Sequence, residues 1–144
     1  MRRILALSLA LAVLTGCGGD GTSDYCESVE EHQRELSDIA ASTEPGAIFD
    51  ALDAYRDLQT LAPRDLRDEW SQVIRRLEAL EGALDEAGVD PAAYDPKRTL
   101  ATLPQARRTA IQGAARDLGD EATVAAMAGI EQQALDVCRM PLSQ

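Results

Sequence analysis

Between Leu66 and Ala87 the apolar residues Leu66, Trp70, Val73, Leu77, Leu80, Leu84 and Ala87 follow one another in alternating steps of four and three. That rhythm draws one continuous stripe along an α-helix, whereas a strand, whose side chains change face at every residue, would scatter it. A stripe sustained over about three heptads has to be covered by other elements of the fold. No β-branched, strictly alternating run occurs elsewhere in the chain, so the covering elements are helices and the fold class is all-α.

The neighbouring segments repeat the pattern less cleanly. Asp24 and Glu27 have capping-box spacing, and Tyr25, Val29, His32, Leu36 and Ile39 follow at helical intervals, which predicts a first helix from about Tyr25 to Ala41. Ser42 or Thr43 caps a second, with Ile48, Leu52, Tyr55, Leu58 and Leu61 as its apolar stripe, ending before Ala62-Pro63. Pro63 suits the first position of the third helix, and Gly88 ends it as a left-handed cap. From Val89 to Leu103 the prolines at 91 and 96 interrupt the pattern, leaving one long loop with a single turn from Asp90-Pro91 to Tyr94. A shorter, weakly amphipathic fourth helix follows from about Pro104 to Leu118, through Leu103, Ala106, Ile111, Ala114 and Leu118. Asp120 caps the fifth, with Val124, Met127, Ile130, Ala134 and Cys138 facing inward before Pro141 stops it.

The N-terminus reads as an export signal: Arg2 and Arg3, an apolar run from Ile4 to Leu14, then small residues around Gly16. The run is too short for the roughly 20 apolar residues of a transmembrane helix. Leu14-Thr15-Gly16-Cys17 resembles the lipobox of bacterial lipoprotein precursors. The resemblance covers residues 1–17 and implies cleavage before Cys17 and a diacylglyceryl group on its sulfur. An ordinary signal peptide is the alternative, and it leaves Cys17 as an odd thiol. The expected organisation is a signal peptide over 1–16, a flexible tether over 17–23 (Gly18 to Ser23 reads GGDGTS) and one helical domain over 24–144, held on the extracytoplasmic face of the cell membrane.

With Cys17 assigned to lipid, Cys26 and Cys138 are left as a pair in a compartment that permits disulfides. Two separate buried thiols are the alternative. A bond would bring the start of the first helix within about 7 Å of the end of the last. Both ends then share one pole, which an up-down bundle achieves with an even number of long spans. The expectation is four principal antiparallel helices, namely the first, second, third and fifth, with the shorter fourth lying across the bundle or at one end.

The formal charge of −11 becomes about −13 once Arg2 and Arg3 leave with the signal, which disfavours nucleic acid and anionic headgroups as partners. Catalytic patterns are sparse. His32 is the only histidine, so histidine-rich zinc sites are excluded, and no serine-nucleophile elbow, phosphate loop or dinucleotide fingerprint occurs. The chain carries no signature of a bound cofactor. Glu27, Glu30, Glu31, Glu35 and Asp38 share a face of the first helix, where they read as solvated charge rather than a calcium site, since such sites come from turning loops. Tyr94, Asp95, Lys97 and Arg98 gather an aromatic and the only lysine in a proline-punctuated loop, either a candidate binding loop or a plain connection packed down by Tyr94.

The lipobox, the early Cys26, the stretch Ala62-Pro63-Arg64-Asp65-Leu66-Arg67-Asp68-Glu69-Trp70 and a last helix ending in Cys138 together resemble small helical lipoproteins and secreted proteins of actinobacteria. That resemblance implies no activity and no functional residues. Three classes of function are compatible with the sequence. A non-enzymatic module that binds or scaffolds another envelope protein would expose an apolar patch of more than a few hundred Å². A carrier of a small apolar ligand or cation would need a sizeable closed pocket, and an envelope enzyme or enzyme inhibitor a cleft with perturbed carboxylates. Cys17→Ser is expected to abolish lipid processing and release the mature chain from membranes. Fractionation that finds the variant fully membrane-bound and normally processed would refute the anchor.

Overall fold

A computed structural model of the protein describes residues 20–144, and these form an all-helical fold with no strand among the described residues. The signal peptide and Cys17 expected from the sequence lie outside that range. Six α-helices follow in order: α1 (Asp20–Ala41), α2 (Leu52–Leu61), α3 (Arg67–Ala87), α4 (Pro96–Thr102), α5 (Gln105–Leu118) and α6 (Glu121–Gln133). Short 3-10 turns over Ala47–Ala51, Arg64–Leu66 and Pro91–Ala93 lead into or join them, and α6 runs on into a π-helical turn, Ala134–Cys138.

The predicted stripe on α3 is buried along its whole length, with Ile74 added to it. Gly88 ends the helix at φ 73°, and the N–H groups of Gly88 and Val89 donate to the carbonyls of Asp85 and Leu84, as a left-handed C-cap requires. α3 is the hub of the packing: α2, α5 and α6 all lie against it. Arg56 pairs with Glu78 at 2.8 Å and Gln59 Nε2 donates to Ser71 Oγ at 2.7 Å, so α2 runs antiparallel to α3. Arg107 Nη1 donates to the Ala87 carbonyl at 3.2 Å, while Arg76 lies 3.6 Å from Asp117 near the other end, so α5 is antiparallel to α3 as well. Trp70, fully buried, receives Tyr25 from α1 through an Nε1 to hydroxyl hydrogen bond of 3.3 Å and Tyr55 from α2 with ring centroids 5.3 Å apart.

Four expectations are corrected. The helix expected to be short is α5, whose 14 residues exceed both α2 and α6, and it packs lengthwise on α3 rather than across the bundle. Its alanines conceal this, because only Ile111 is fully buried. α1 begins at Asp20, so residues 20–23 extend the helix instead of the tether. The second helix does not start at Ser42 or Thr43. Gly46, at φ 73°, breaks the chain, a 3-10 turn follows, and the change of period turns Phe49 inward and leaves Ile48 47% exposed. On α6 the inward set is Thr123, Ala126, Ile130 and Ala134, while Val124 is 58% exposed; a helix apolar on every side does not declare its buried face by periodicity.

Cys26 and Cys138 form a disulfide with Cα atoms 5.1 Å apart, joining the first helix to the end of the last. Beyond it the chain climbs back along α1: Gln33 Nε2 donates to the Pro141 carbonyl, the Gln144 N–H donates to Ser37 Oγ, and Leu142 is buried. The bond closes a loop of 112 residues, so Cys138→Ala is expected to lower the unfolding free energy by about 4 to 5 kcal/mol in urea, less any strain relieved. Alkylation of both thiols in unreduced protein, read by mass spectrometry, would disprove the pairing.

Candidate functional site

The segment after α3 carries the residues that the sequence marks as a binding loop, and it is more ordered than a loop. Asp90 Oδ1 accepts the Ala92 N–H and starts the expected single turn. Asp95 then caps α4, a helix that the prolines had hidden: its carboxylate accepts the N–H groups of Lys97 and Arg98, and Pro96 sits in the first turn. Asp-Pro at this spacing is itself a helix-start signal, since proline costs nothing where the N–H has no partner. The Arg98 backbone and side chain, with the Lys97 N–H, hold the Asp95 carboxyl below its ordinary range. Asp95 is therefore committed to shaping the loop, and Arg98, bonded to it at 2.8 Å, is an exposed clamp.

This capped segment forms one wall of a cleft of about 770 Å³. Leu36 and Ile39 come from the second half of α1, Ile48 from the 3-10 turn, Tyr55 from α2, Met127 and Glu131 from α6, and Leu142 from the tail. Tyr94, Asp95 and Lys97 complete the wall; Arg98 is not part of it. The site is open to solvent and not the closed pocket within the bundle that a sealed carrier requires. Leu36, Ile39 and Tyr55 belong to helical stripes and Tyr94, Asp95 and Lys97 to a proline-punctuated connection, and no local pattern links the two groups.

Gly46 makes the meeting of the two connections possible. A Cβ there would run into the carbonyl oxygen of Pro91 and the backbone of Ala92, and its positive φ is itself unfavourable for other residues. The close approach presses the 3-10 turn Ala47–Ala51 against Pro91–Ala93 and seats Tyr94 over the core. Tyr94 is only 8% exposed, and burial raises its hydroxyl above the usual range. Burial likewise raises Tyr55, with the negative charge of Glu131 adding to the effect.

The remaining ionisable groups lie elsewhere. His32 is half-buried between Glu35 at 3.2 Å and Asp57 at 3.5 Å, joining α1 to α2 and not lining the cleft. The acidic residues on α1 are exposed, and among the described residues no group of three or more potential ligands converges as a metal site would need. Asp120, like Asp95, is lowered, here by the backbone and side chain of Thr123 that it caps. Both carboxylates are thus held ionised by capping. Neither is poised as the raised carboxyl that general acid catalysis uses.

Comparison with family models, with curated proteins and with solved structures returns no match. The site therefore rests on its own geometry. Gly46→Ala is expected to lower the stability by more than about 1 kcal/mol, because the left-handed backbone and the contact with Pro91 both oppose a methyl group. A thermal midpoint equal to that of the parent chain would show that the two connections do not depend on this contact.

Proposed function

We propose that the protein is a lipid-anchored, extracytoplasmic, non-enzymatic binding module whose cleft takes up a ligand with an apolar body. The observation that carries this reading is the cleft itself: about 770 Å³, within the roughly 300–1,000 Å³ typical of sites for small organic molecules, and walled by Leu36, Ile39, Ile48, Tyr55 and Met127. Ile48, 47% exposed, lines the cleft and offers apolar surface to an occupant. Anchoring through lipid on Cys17 fits the same picture. Leu36 lies about 24 Å along α1 from Asp20 at about 1.5 Å per residue, so a chain tethered just before Asp20 would present the cleft away from the bilayer. The acidic balance argues against nucleic acid as a partner.

A second reading, a scaffold for another envelope protein, is favoured by the outer face of α6. Val124 is 58% exposed there, beside the exposed Ala125 and Ala128, and Leu135, 45% exposed, follows on the π-helical turn, with Glu131 between them on the same face. For the architecture we propose four antiparallel spans, α1, α2, α3 and a last span made of α5 continued by α6, since Arg76 lies 3.7 Å from Asp120 and Gln72 Nε2 donates to Thr123 Oγ1 at 3.1 Å, so that α6 also runs antiparallel to α3. The antiparallel pairings of α3 with α2 and α5 support this, as does the return of Cys138 to Cys26 after an even number of spans.

Nile red, a neutral apolar fluorophore, tests the cleft directly. Saturable blue-shifted emission is expected with the Cys17→Ser chain, lost in Ile48→Asp and kept in Val124→Asp. Non-saturable emission, or equal loss in both variants, would remove the cleft from the function; selective loss of partner crosslinks in Val124→Asp would favour the scaffold.

A further inference from the structure

The charges around the cleft decide what sort of apolar ligand it takes, and this inference rests on the cleft being the binding site. Four charged side chains line it: Glu44, Asp95, Lys97 and Glu131. Asp95 is spent on the α4 cap and on Arg98. Among the described residues the other three enter no ion pair within 4.0 Å, so two carboxylates and one ammonium group remain to meet a ligand. With a formal charge of −11 on the whole chain, an anionic ligand is opposed both locally and at a distance.

Two aromatic residues give the negative charge a direction. Tyr55 rests against Trp70 and shares the cleft wall with Glu131, whose charge it feels. An aromatic ring beside a carboxylate is the pairing that receives an ammonium group, the ring through its quadrupole and the carboxylate through its charge. Tyr94 adds a hydroxyl. More than nine-tenths of the residue is buried, and no hydrogen-bonding group among the described residues meets its hydroxyl. The residue lines the cleft, where a ligand's polar group would give the hydroxyl a partner.

We propose that the cleft binds a cationic amphiphile, a small molecule with an apolar body and one ammonium group, seated with its cation between Tyr55 and Glu131 and its body against Leu36, Ile39, Ile48 and Met127. Phosphates, nucleotides and fatty-acid anions are disfavoured by the same charges.

Three probes of one chain length separate charge from apolar contact: decyltrimethylammonium, decanoate and decyl glucoside. Each is titrated into the Cys17→Ser chain below its micelle concentration and at physiological salt, where screening over about 8 Å removes most long-range attraction. The ammonium probe is expected to bind about 10-fold more tightly than decanoate. Glu131→Gln is expected to weaken it about 5- to 10-fold while leaving decyl glucoside unchanged, and Tyr94→Phe to weaken decyl glucoside and decanoate by a few-fold while leaving the trimethylammonium probe, which has no hydrogen-bonding atom, unchanged. Glu27→Gln, the same loss of charge on an exposed turn of α1 away from the cleft, is the control and is expected to change nothing. Equal affinity for the three probes, or an equal effect of Glu27→Gln and Glu131→Gln, overturns the cation preference. If Nile red still binds in that case, the cleft stands as an apolar site and only its ligand class is lost; if no probe binds, the reading of the cleft falls with it.

Discussion

Trp70 is the point through which three helices are held together. Its ring is fully buried on α3, its indole N–H is satisfied by the Tyr25 hydroxyl from α1, and the Tyr55 ring from α2 tilts against it. An aromatic ring of this size removes a large apolar area from water, and the hydrogen bond prevents its one polar atom from being stranded. The remainder of the α3 stripe extends this contact, with Leu77, Leu80 and Leu84 continuing the buried line toward the end of the helix. The cleft inherits its position from the same cluster, since Tyr55 has one side committed to Trp70 while it also lines the cleft.

The structure answers the chain's strong negative charge mainly at its surface. Arg56 spans Asp53 and Glu78, and Arg76 lies near Asp117 and Asp120, so arginines bridge helices whose carboxylates would otherwise repel. Exposed pairs of this kind contribute little each, and their role is to remove repulsion at helix contacts more than to stabilise them. The disulfide works on a different term. By tying Cys138 to Cys26 it limits the unfolded chain, and it also delivers the tail that places Leu142 in the core and in the cleft wall.

The buried set of α3 and the caps at Asp120 and Gly88 were legible in the sequence because each is a strong local signal: a sustained period, a side-chain acceptor, a glycine at a helix end. Of the three cysteines, Cys26 and Cys138 stood out as a candidate pair only once Cys17 was set aside. α4 was hidden because proline reads as a breaker when taken alone and as a helix start when it follows aspartate. The faces of α5 and α6 were hidden for another reason. Alanine and glycine suit either side of a helix, so the exposed position of Val124 and the lengthwise packing of α5 came from contacts and not from pattern.

From the sequence alone came the helical class, the position of the longest stripe and the strongly negative charge, because each of these depends on residues close in the chain or on simple counts, while Cys26 and Cys138 were a candidate pair that the structure shows bonded. It also marked Tyr94, Asp95, Lys97 and Arg98 as a segment of interest. Only the tertiary structure decided that three of these four meet Leu36, Tyr55 and Glu131 around one cleft, that Asp95 is committed to a cap, and that Gly46 allows the approach. Those residues are far apart in sequence, and no periodicity links them. What brings them together is the packing of helices on α3, a property of side-chain volumes in three dimensions.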